Sequence, residues 1–360
     1  MIELVNVTKE YPGTVAVKDL TFEVGDGEFC VLIGPSGCGK STTLRMINRL
    51  IEATSGTLLI DGTDIRDYRP EELRRKIGYA IQSVGLFPHM TVAQNISVVP
   101  GLLKWEMSRI DKRVGELLDL FGLDPSAYKG KYPRELSGGE AQRVGVARAL
   151  AADPSILLMD EPFGALDPIT RESLQNEFSR IQRSLKKTIV FVTHDIDEAI
   201  RLAARILIMR EGELVQYDTP ENILTSPGDK FVLEFIGTDR ALKRLARLPV
   251  QGLMRSALSV VLSDDPGKVE KSLTENSYLW VTDNEGRLKG WLDRKVLDKA
   301  PFNMEDSIVR IRVADFAVSP DSTAKEALSR MVLAGTSSAP VVDNTDLLVG
   351  EIRLADLLEA

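Results

Sequence analysis

The sequence points to an α/β protein in which a mostly parallel sheet, covered by helices on both faces, is followed by a smaller α+β tail. Three observations carry this expectation. Apolar strand-length runs alternate with segments of helical periodicity, a glycine-rich turn lies between one such strand and a helix, and the tail matches itself at a shift of sixty residues.

In chain order, Glu28-Phe29-Cys30-Val31-Leu32-Ile33 reads as a buried strand that stops at Gly34-Pro35-Ser36-Gly37-Cys38-Gly39-Lys40-Ser41-Thr42. Leu44, Ile47, Leu50 and Ile51 then recur at helical spacing, which gives the order strand, loop, helix. Ile110, Val114, Leu117, Leu118 and Phe121 mark one helix face, with Ser108 and Asp111 expected as its N-cap pair and Gly122 as its stop. A strand over 156–159 ends on Asp160-Glu161-Pro162, and another over 188–193 ends on His194-Asp195. In a parallel sheet the polar residues at such carboxyl ends line one crevice, where ligands bind. Beyond about Gly237 the pattern changes. Val281, Asp283, Asn284, Leu288, Gly290 and Leu297 match Val341, Asp343, Asn344, Leu348, Gly350 and Leu357, so the tail reads as a duplicated unit of helix, strand, Asx turn, strand and helix.

Composition narrows the function classes. A chain of 360 residues is long enough for two or three domains, and 43% hydrophobic with 27% charged residues is ordinary for a folded protein. No apolar run approaches the roughly 18 residues needed to cross a bilayer, and Met1-Ile2-Glu3-Leu4 does not open a signal peptide, so a cytosolic location is expected. Two cysteines, Cys30 and Cys38, are too few for a disulfide framework, and Cys30 reads as a buried, inert thiol. The net charge of −8 argues against a nucleic-acid partner. Residues 250–360 hold 13 Lys and Arg against 18 Asp and Glu, so −5 of the −8 sits in the tail.

Gly34 to Ser41 satisfies the phosphate-loop pattern G-x-x-x-x-G-K-[ST]. Small residues let successive backbone N–H groups converge on phosphates, the helix N-terminus adds positive potential, and Lys40 supplies a point charge. Ser41 offers a hydroxyl to Mg²⁺, with Asp160 as the second anchor. Glu161 is placed to polarise an attacking water and His194 to meet the γ-phosphate. His89, in the turn Phe87-Pro88-His89-Met90, is expected to be structural or interfacial.

Leu136-Ser137-Gly138-Gly139-Glu140-Ala141-Gln142-Arg143, taken with the phosphate loop, Gln82, Asp160-Glu161, Gly164-Ala165-Leu166-Asp167 and His194 in this order, closely resembles the ATP-binding cassette ATPases. The resemblance implies a P-loop ABC ATPase domain with a mostly parallel sheet core, an antiparallel β-subdomain and a helical subdomain. It also implies ATP and Mg²⁺ as cofactors and a homodimer closed head to tail, each copy's Ser137, Gly138, Gly139 and Glu140 capping the nucleotide on the other's phosphate loop. Gln82 would join the catalytic and metal sets, Asp167 the nucleotide contacts, and Tyr11 would stack on adenine. One residue departs from the family pattern: Glu140 stands where Gln is usual, and a carboxylate near a triphosphate costs energy unless it is turned away or solvated.

Met46-Ile47-Asn48-Arg49-Leu50-Ile51-Glu52, residues 78–91 and Asp167-Pro168-Ile169-Thr170-Arg171 are similar to the ATPase subunits of bacterial importers for osmoprotectants such as glycine betaine, choline and carnitine. The tail resembles the paired CBS modules of the same subunits. This implies an ATPase over 1–236, a linker over 237–250, and CBS-like modules over 251–305 and 306–360. It further implies integral membrane permease subunits docking near Gln82, an extracytoplasmic substrate-binding protein, and a peripheral location on the cytoplasmic face of the bacterial inner membrane. An adenine nucleotide or cyclic dinucleotide is the ligand class for such a tail. Here, however, Arg353 stands three residues before Asp356 where nucleotide-binding CBS units commonly carry Ser or Thr, and in the first copy Asp293 precedes Val296. Import of another small solute of amino-acid type, or a non-transport cassette ATPase, stays open as an alternative.

Overall fold

A computed structural model describes residues 1–81, 85–164, 166–167, 170–171, 174–175, 178, 187–298, 304–310 and 312–359. The chain divides into two compact units, Met1–Gly237 and Thr238–Ala360.

Among the described residues the first unit holds two sheets. β1 (Ile2–Tyr11), β2 (Thr14–Val24), β4 (Ser55–Ile60) and β5 (Thr63–Asp64) pair antiparallel in the order β2-β1-β4-β5. The second sheet runs β10-β9-β3-β8-β7-β6, from β3 (Phe29–Ile33), β6 (Ile77–Ala80), β7 (Ile156–Asp160), β8 (Thr188–Val192), β9 (Arg205–Arg210) and β10 (Glu213–Asp218). It is parallel except at β10. Every residue of β3, β7 and β8 is buried because both faces of this sheet are covered. Val31 and Ile33 face one core with Val114, Leu117 and Leu118 from helix Met107–Leu120, and Val144 from helix Gly138–Leu150. Cys30 and Leu32 face the other core, with the antiparallel sheet and Leu44 of helix Lys40–Ile47. Burial pushes the Cys30 thiol up to about 12, which agrees with an inert core cysteine.

Two local expectations are corrected. Helix Lys40–Ile47 stops before Leu50 and Ile51, where Arg49 adopts φ 48° and turns the chain, leaving Leu50 exposed. Helix Met107–Leu120 begins a residue before Ser108, so Ser108 is not its N-cap. Glu106 takes that position without a side-chain cap, and Asp111 instead accepts from Lys129 Nζ at 2.7 Å. Gly122, at φ 65°, ends the turn that follows this helix.

In the second unit β11 (Ser259–Val261), β12 (Tyr278–Thr282), β13 (Leu288–Asp293) and β14 (Val309–Arg310) form one sheet, and β15 (Ser338–Val342) and β16 (Leu348–Arg353) another. The sixty-residue shift lays β12 on β15 and β13 on β16. Asp283 and Asp343 close the same turn: the first accepts from the amides of Glu285 and Arg287, the second from those of Thr345 and Leu347. The copies interlock rather than meeting at residue 305. β14, from beyond that point, pairs with β13, while Arg255, from the start of the first module, bridges to Glu351 of β16.

The segment 237–250 is not a free linker. It contains helix Arg240–Leu245, and Leu245 and Val250 are buried with Met331 and Ile352. Its backbone is stitched to the second copy by Ala324 N–H to Leu248 O at 2.8 Å and Val250 N–H to Ser322 O at 2.8 Å. Its short apolar spacing satisfies a core built from distant residues, so the local pattern alone resembles a connector.

Candidate nucleotide site

The phosphate loop leaves β3 at Ile33. A Cβ on Gly34 (φ 154°) would lie 2.2 Å from Met209 O, and one on Gly39 (φ 105°) 2.5 Å from Ala16 O, so both positions require glycine. Pro35, Ser36 and Gly37 are exposed at the tip, Cys38, Gly39 and Lys40 are buried beneath it, and Thr42 is half-buried. Lys40 Nζ donates to Gly34 O at 2.7 Å and Pro35 O at 2.9 Å, so the ammonium lies inside the curl of the loop. Helix Lys40–Ile47 starts there and turns its N-terminus toward the same space, which favours an anion.

Ser41 and Asp160 come together although they are 119 residues apart: Ser41 Oγ donates to Asp160 Oδ1 at 2.9 Å. Burial raises the Asp160 carboxyl above its ordinary range, while the Ser41 hydrogen bond and the Arg45 charge oppose that shift. A hydroxyl and a carboxylate oxygen at this separation are hard donors suited to Mg²⁺, and the residues present therefore fit that ion. Glu161 follows at φ 45°, an uncommon conformation for a side-chain-bearing residue, with its N–H held by Val192 O at 2.9 Å. Its carboxylate meets His194, whose Nδ1 lies 3.4 Å from Glu161 Oε2. The His194 side chain is 58% exposed and open to a ligand.

The signature segment is built separately. Ser137 caps helix Gly138–Leu150, its Oγ accepting from Glu140 N–H at 3.3 Å while Glu140 Oε2 accepts from Ser137 N–H at 2.7 Å. The other carboxylate oxygen, Oε1, accepts from the Tyr128 hydroxyl. The Tyr128 hydrogen bond, followed by that from the Ser137 amide, holds the Glu140 carboxyl below its ordinary range. Glu140 is thus the N3 partner of a capping box, which accounts for a carboxylate in the signature. Gly138 stands exposed at the helix start, and a Cβ on Gly139 would come within 2.8 Å of Thr170 Cγ2. Asp167 is exposed and accepts from Thr170 N–H at 3.1 Å. Tyr11 ends β1 with its ring exposed, in the hairpin leading to Ala16, the residue that abuts Gly39. Gln82 lies outside the described residues.

Two groups escaped the sequence reading. Tyr128 gave no signal in its own short turn. Glu198, a charged residue beside the apolar pair Ala199-Ile200, is 5% exposed and carries a carboxyl pushed by burial up to about 7.

In the second unit a cavity of about 540 Å³ is lined by Tyr278, Ser337, Glu351 and Arg353 among others. Its buried carboxylate is already matched. Glu351, fully buried, accepts from Trp280 Nε1 at 2.7 Å, Tyr278 Oη at 2.8 Å and Arg353 Nε at 2.6 Å. Asp356 pairs with the Arg255 guanidinium and accepts from Arg353 N–H at 2.9 Å.

Comparison with known proteins agrees with this geometry. The ABC transporter family model matches residues 17–164 and the CBS domain model residues 309–360. The chain is 46% identical, over its full length and 96% of the relative, to the glycine betaine/carnitine/choline transport ATP-binding protein OpuCA of Bacillus subtilis. It is 43% identical, over its full length and 97% of the relative, to the osmoprotectant import ATP-binding protein OsmV of Salmonella typhimurium. Among solved structures, the ATP-binding cassette MJ0796, a dimer bound to ADP and Pi, is 36% identical and superposes with a TM-score of 0.56, covering 61% of this chain and 99% of that one. No helix among the described residues is long and apolar enough to cross a membrane. A phosphate loop facing a Ser–Asp pair and a Glu–His pair, within full-length similarity of this degree, places the chain in the osmoprotectant-importer family of ABC transporter ATP-binding subunits, ATPases that carry a CBS domain behind the cassette.

Proposed function

We propose that this chain hydrolyses ATP between two copies of itself to drive import of quaternary-amine osmoprotectants, of the glycine betaine, choline and carnitine class, through separate permease subunits. The observation that carries the reading is the cluster of Lys40, Ser41, Asp160, Glu161 and His194 at the carboxyl edge of the parallel sheet. Ser41 and Asp160 would hold Mg²⁺, with Gln82 as a further ligand; the ion, when bound, neutralises charge on the β- and γ-phosphates. In this reading the N–H groups of the loop from Gly34 to Thr42 and the Lys40 ammonium bind the phosphates, and Tyr11 stacks on adenine. Glu161 takes a proton from the attacking water at its carboxylate, and His194 binds the γ-phosphate. Ser137, Gly138, Gly139 and Glu140 at a helix N-terminus, together with Asp167, complete the pocket from the partner copy. The relative MJ0796 is itself a dimer bound to ADP and Pi, which supports that arrangement.

Residues 1–236 are then the motor, and 251–305 and 306–360 two CBS-like regulatory modules. A nucleotide, adenine or cyclic dinucleotide, that uses Asp356 as a ribose partner has to take it from Arg255. The permease anchors the chain at the cytoplasmic face of the inner membrane, and an extracytoplasmic binding protein delivers the solute. The test is uptake of labelled glycine betaine, choline and carnitine by cells lacking the chain. The wild-type chain restores uptake, whereas Glu161→Gln restores none. Restoration of amino-acid uptake instead, or equal rescue by Glu161→Gln, overturns the reading.

A further inference from the structure

A glutamate at the third position of a helix ordinarily reaches back to the N-cap amide. Glu198 occupies that position in helix Ile196–Leu202, whose N-cap is Asp195, and does something else. The Asp195 N–H is taken by Thr193 Oγ1 at 3.0 Å, and Asp195 Oδ1 caps the amides of Asp197 at 2.9 Å and Glu198 at 3.2 Å. The Glu198 carboxyl is released from capping and turns inward. There Oε1 accepts from Gln175 Nε2 at 3.0 Å, and the carboxyl is also hydrogen-bonded to the Thr193 side chain.

These contacts bracket one residue of the hydrolytic site. His194 lies between Thr193, whose N–H is bound to Leu32 O of β3 at 3.2 Å, and Asp195, whose N–H is bound to the Thr193 hydroxyl. Gln175 lies beyond Asp167 on the segment whose Arg171 side chain donates to Phe163 O at 3.2 Å and Leu166 O at 2.9 Å. Resting on the ATPase reading above, we propose that Glu198 is a positioning residue for hydrolysis, holding the turn that presents His194 to Glu161 and tying it to the segment that follows Asp167.

A glutamine can make the same hydrogen bonds, since its amide accepts from Thr193 while Gln175 turns its own amide over. The carboxylate adds a response to protons. Burial, and after it the Asp195 charge, raise its affinity for a proton, while Thr193, Gln175 and the Arg171 charge lower it. A protonated Glu198 competes with the Asp195 N–H for the Thr193 oxygen, so the ionised form is the one that holds the turn. Activity therefore falls as pH drops through about 7.

The experiment is steady-state ATP hydrolysis by the full chain with Mg²⁺, from pH 6 to 8.5, for wild type, Glu198→Gln and Glu198→Ala. The alanine variant is expected to lose roughly tenfold in kcat with KM for ATP changed less than about twofold, because a misplaced group costs rate rather than binding. Glutamine restores kcat near pH 8 and abolishes the inflection near 7. An unaltered pH profile in Glu198→Gln, or an alanine effect confined to KM, overturns this inference alone. A wild-type chain that hydrolyses no ATP overturns the ATPase reading and this inference with it. If Glu198→Ala does not fold, the pH profile of Glu198→Gln still decides.

Discussion

Asp160 and Asp356 occupy comparable places, one the last residue of β7 and the other in helix Leu354–Glu359 directly after β16, yet their carboxylates keep opposite company. Asp160 takes a hydrogen from the neutral Ser41 hydroxyl and meets Lys40 and Arg45 only through space. Its charge is left for a cation to satisfy, and burial makes it costly in the meantime. Asp356 has its charge cancelled by the Arg255 guanidinium and accepts the Arg353 amide besides. The first arrangement sacrifices stability to keep a site open. The second uses the same chemistry to join two copies of a fold.

The largest effect that follows is on the open carboxylate. Asp160→Asn removes the second hard anchor, so ATP turnover falls about 100-fold or more. Folding does not suffer in parallel, because the wild-type carboxyl is raised by burial and its ionised form costs free energy at neutral pH. Turnover assays and thermal unfolding of the same preparation check both halves. A variant that keeps turnover within tenfold, or loses stability in step with it, would make Asp160 a structural residue like Asp356.

The closed side of the comparison responds in the opposite way. Glu351→Ala strips an acceptor from Trp280, Tyr278 and Arg353 at once and leaves a guanidinium without its buried counter-charge. A loss of about 3–5 kcal/mol in stability of the tail is expected, with ATP turnover by the cassette within about twofold of wild type. Denaturant unfolding followed by tryptophan fluorescence reads it, since two of the three tryptophans, Trp280 and Trp291, lie in the tail and Trp105 in the cassette. A loss under about 1 kcal/mol would mean that the network is replaceable and the copies are joined by apolar packing alone.

The parts legible from sequence are those in which neighbouring residues do the work together. The phosphate loop, Asp160-Glu161 at a strand end and the sixty-residue repeat all carry their chemistry in short strings, and the structure brings Ser41 to Asp160 and Glu161 to His194. What was missed depends on partners far along the chain. Arg240–Leu245 reads as connector because its apolar contacts come from Met331 and Ile352. Arg255 is an unremarked basic residue until Glu351 and Asp356 are folded beside it. Glu198 becomes unusual only when Thr193 and Gln175 close over it. Charge pairing and burial are long-range facts, and a helical or strand period does not encode them.

Glu140 gives the smallest effect and joins the two sides of the comparison, being a carboxylate in a site-forming segment that is satisfied within its own copy. Its two oxygens accept from Ser137 N–H and the Tyr128 hydroxyl. In Glu140→Gln the amide oxygen still accepts the Ser137 N–H, and the amide NH₂ donates to the Tyr128 oxygen with the phenol reversed. The capping box survives, and stability changes by about 0.5 kcal/mol or less at neutral pH. Because the Glu140 carboxyl is held below its ordinary range, the wild type's advantage is present above the ordinary glutamate pKa and disappears as pH falls through the lowered value. Thermal unfolding of the two proteins should therefore converge in acid. Turnover stays within about twofold, since the charge removed points at Tyr128 rather than into the space a phosphate takes. A drop beyond tenfold with the fold intact would give the carboxylate a task in the closed dimer and set it beside Asp160 as a carboxylate whose loss costs turnover without a matching loss of stability.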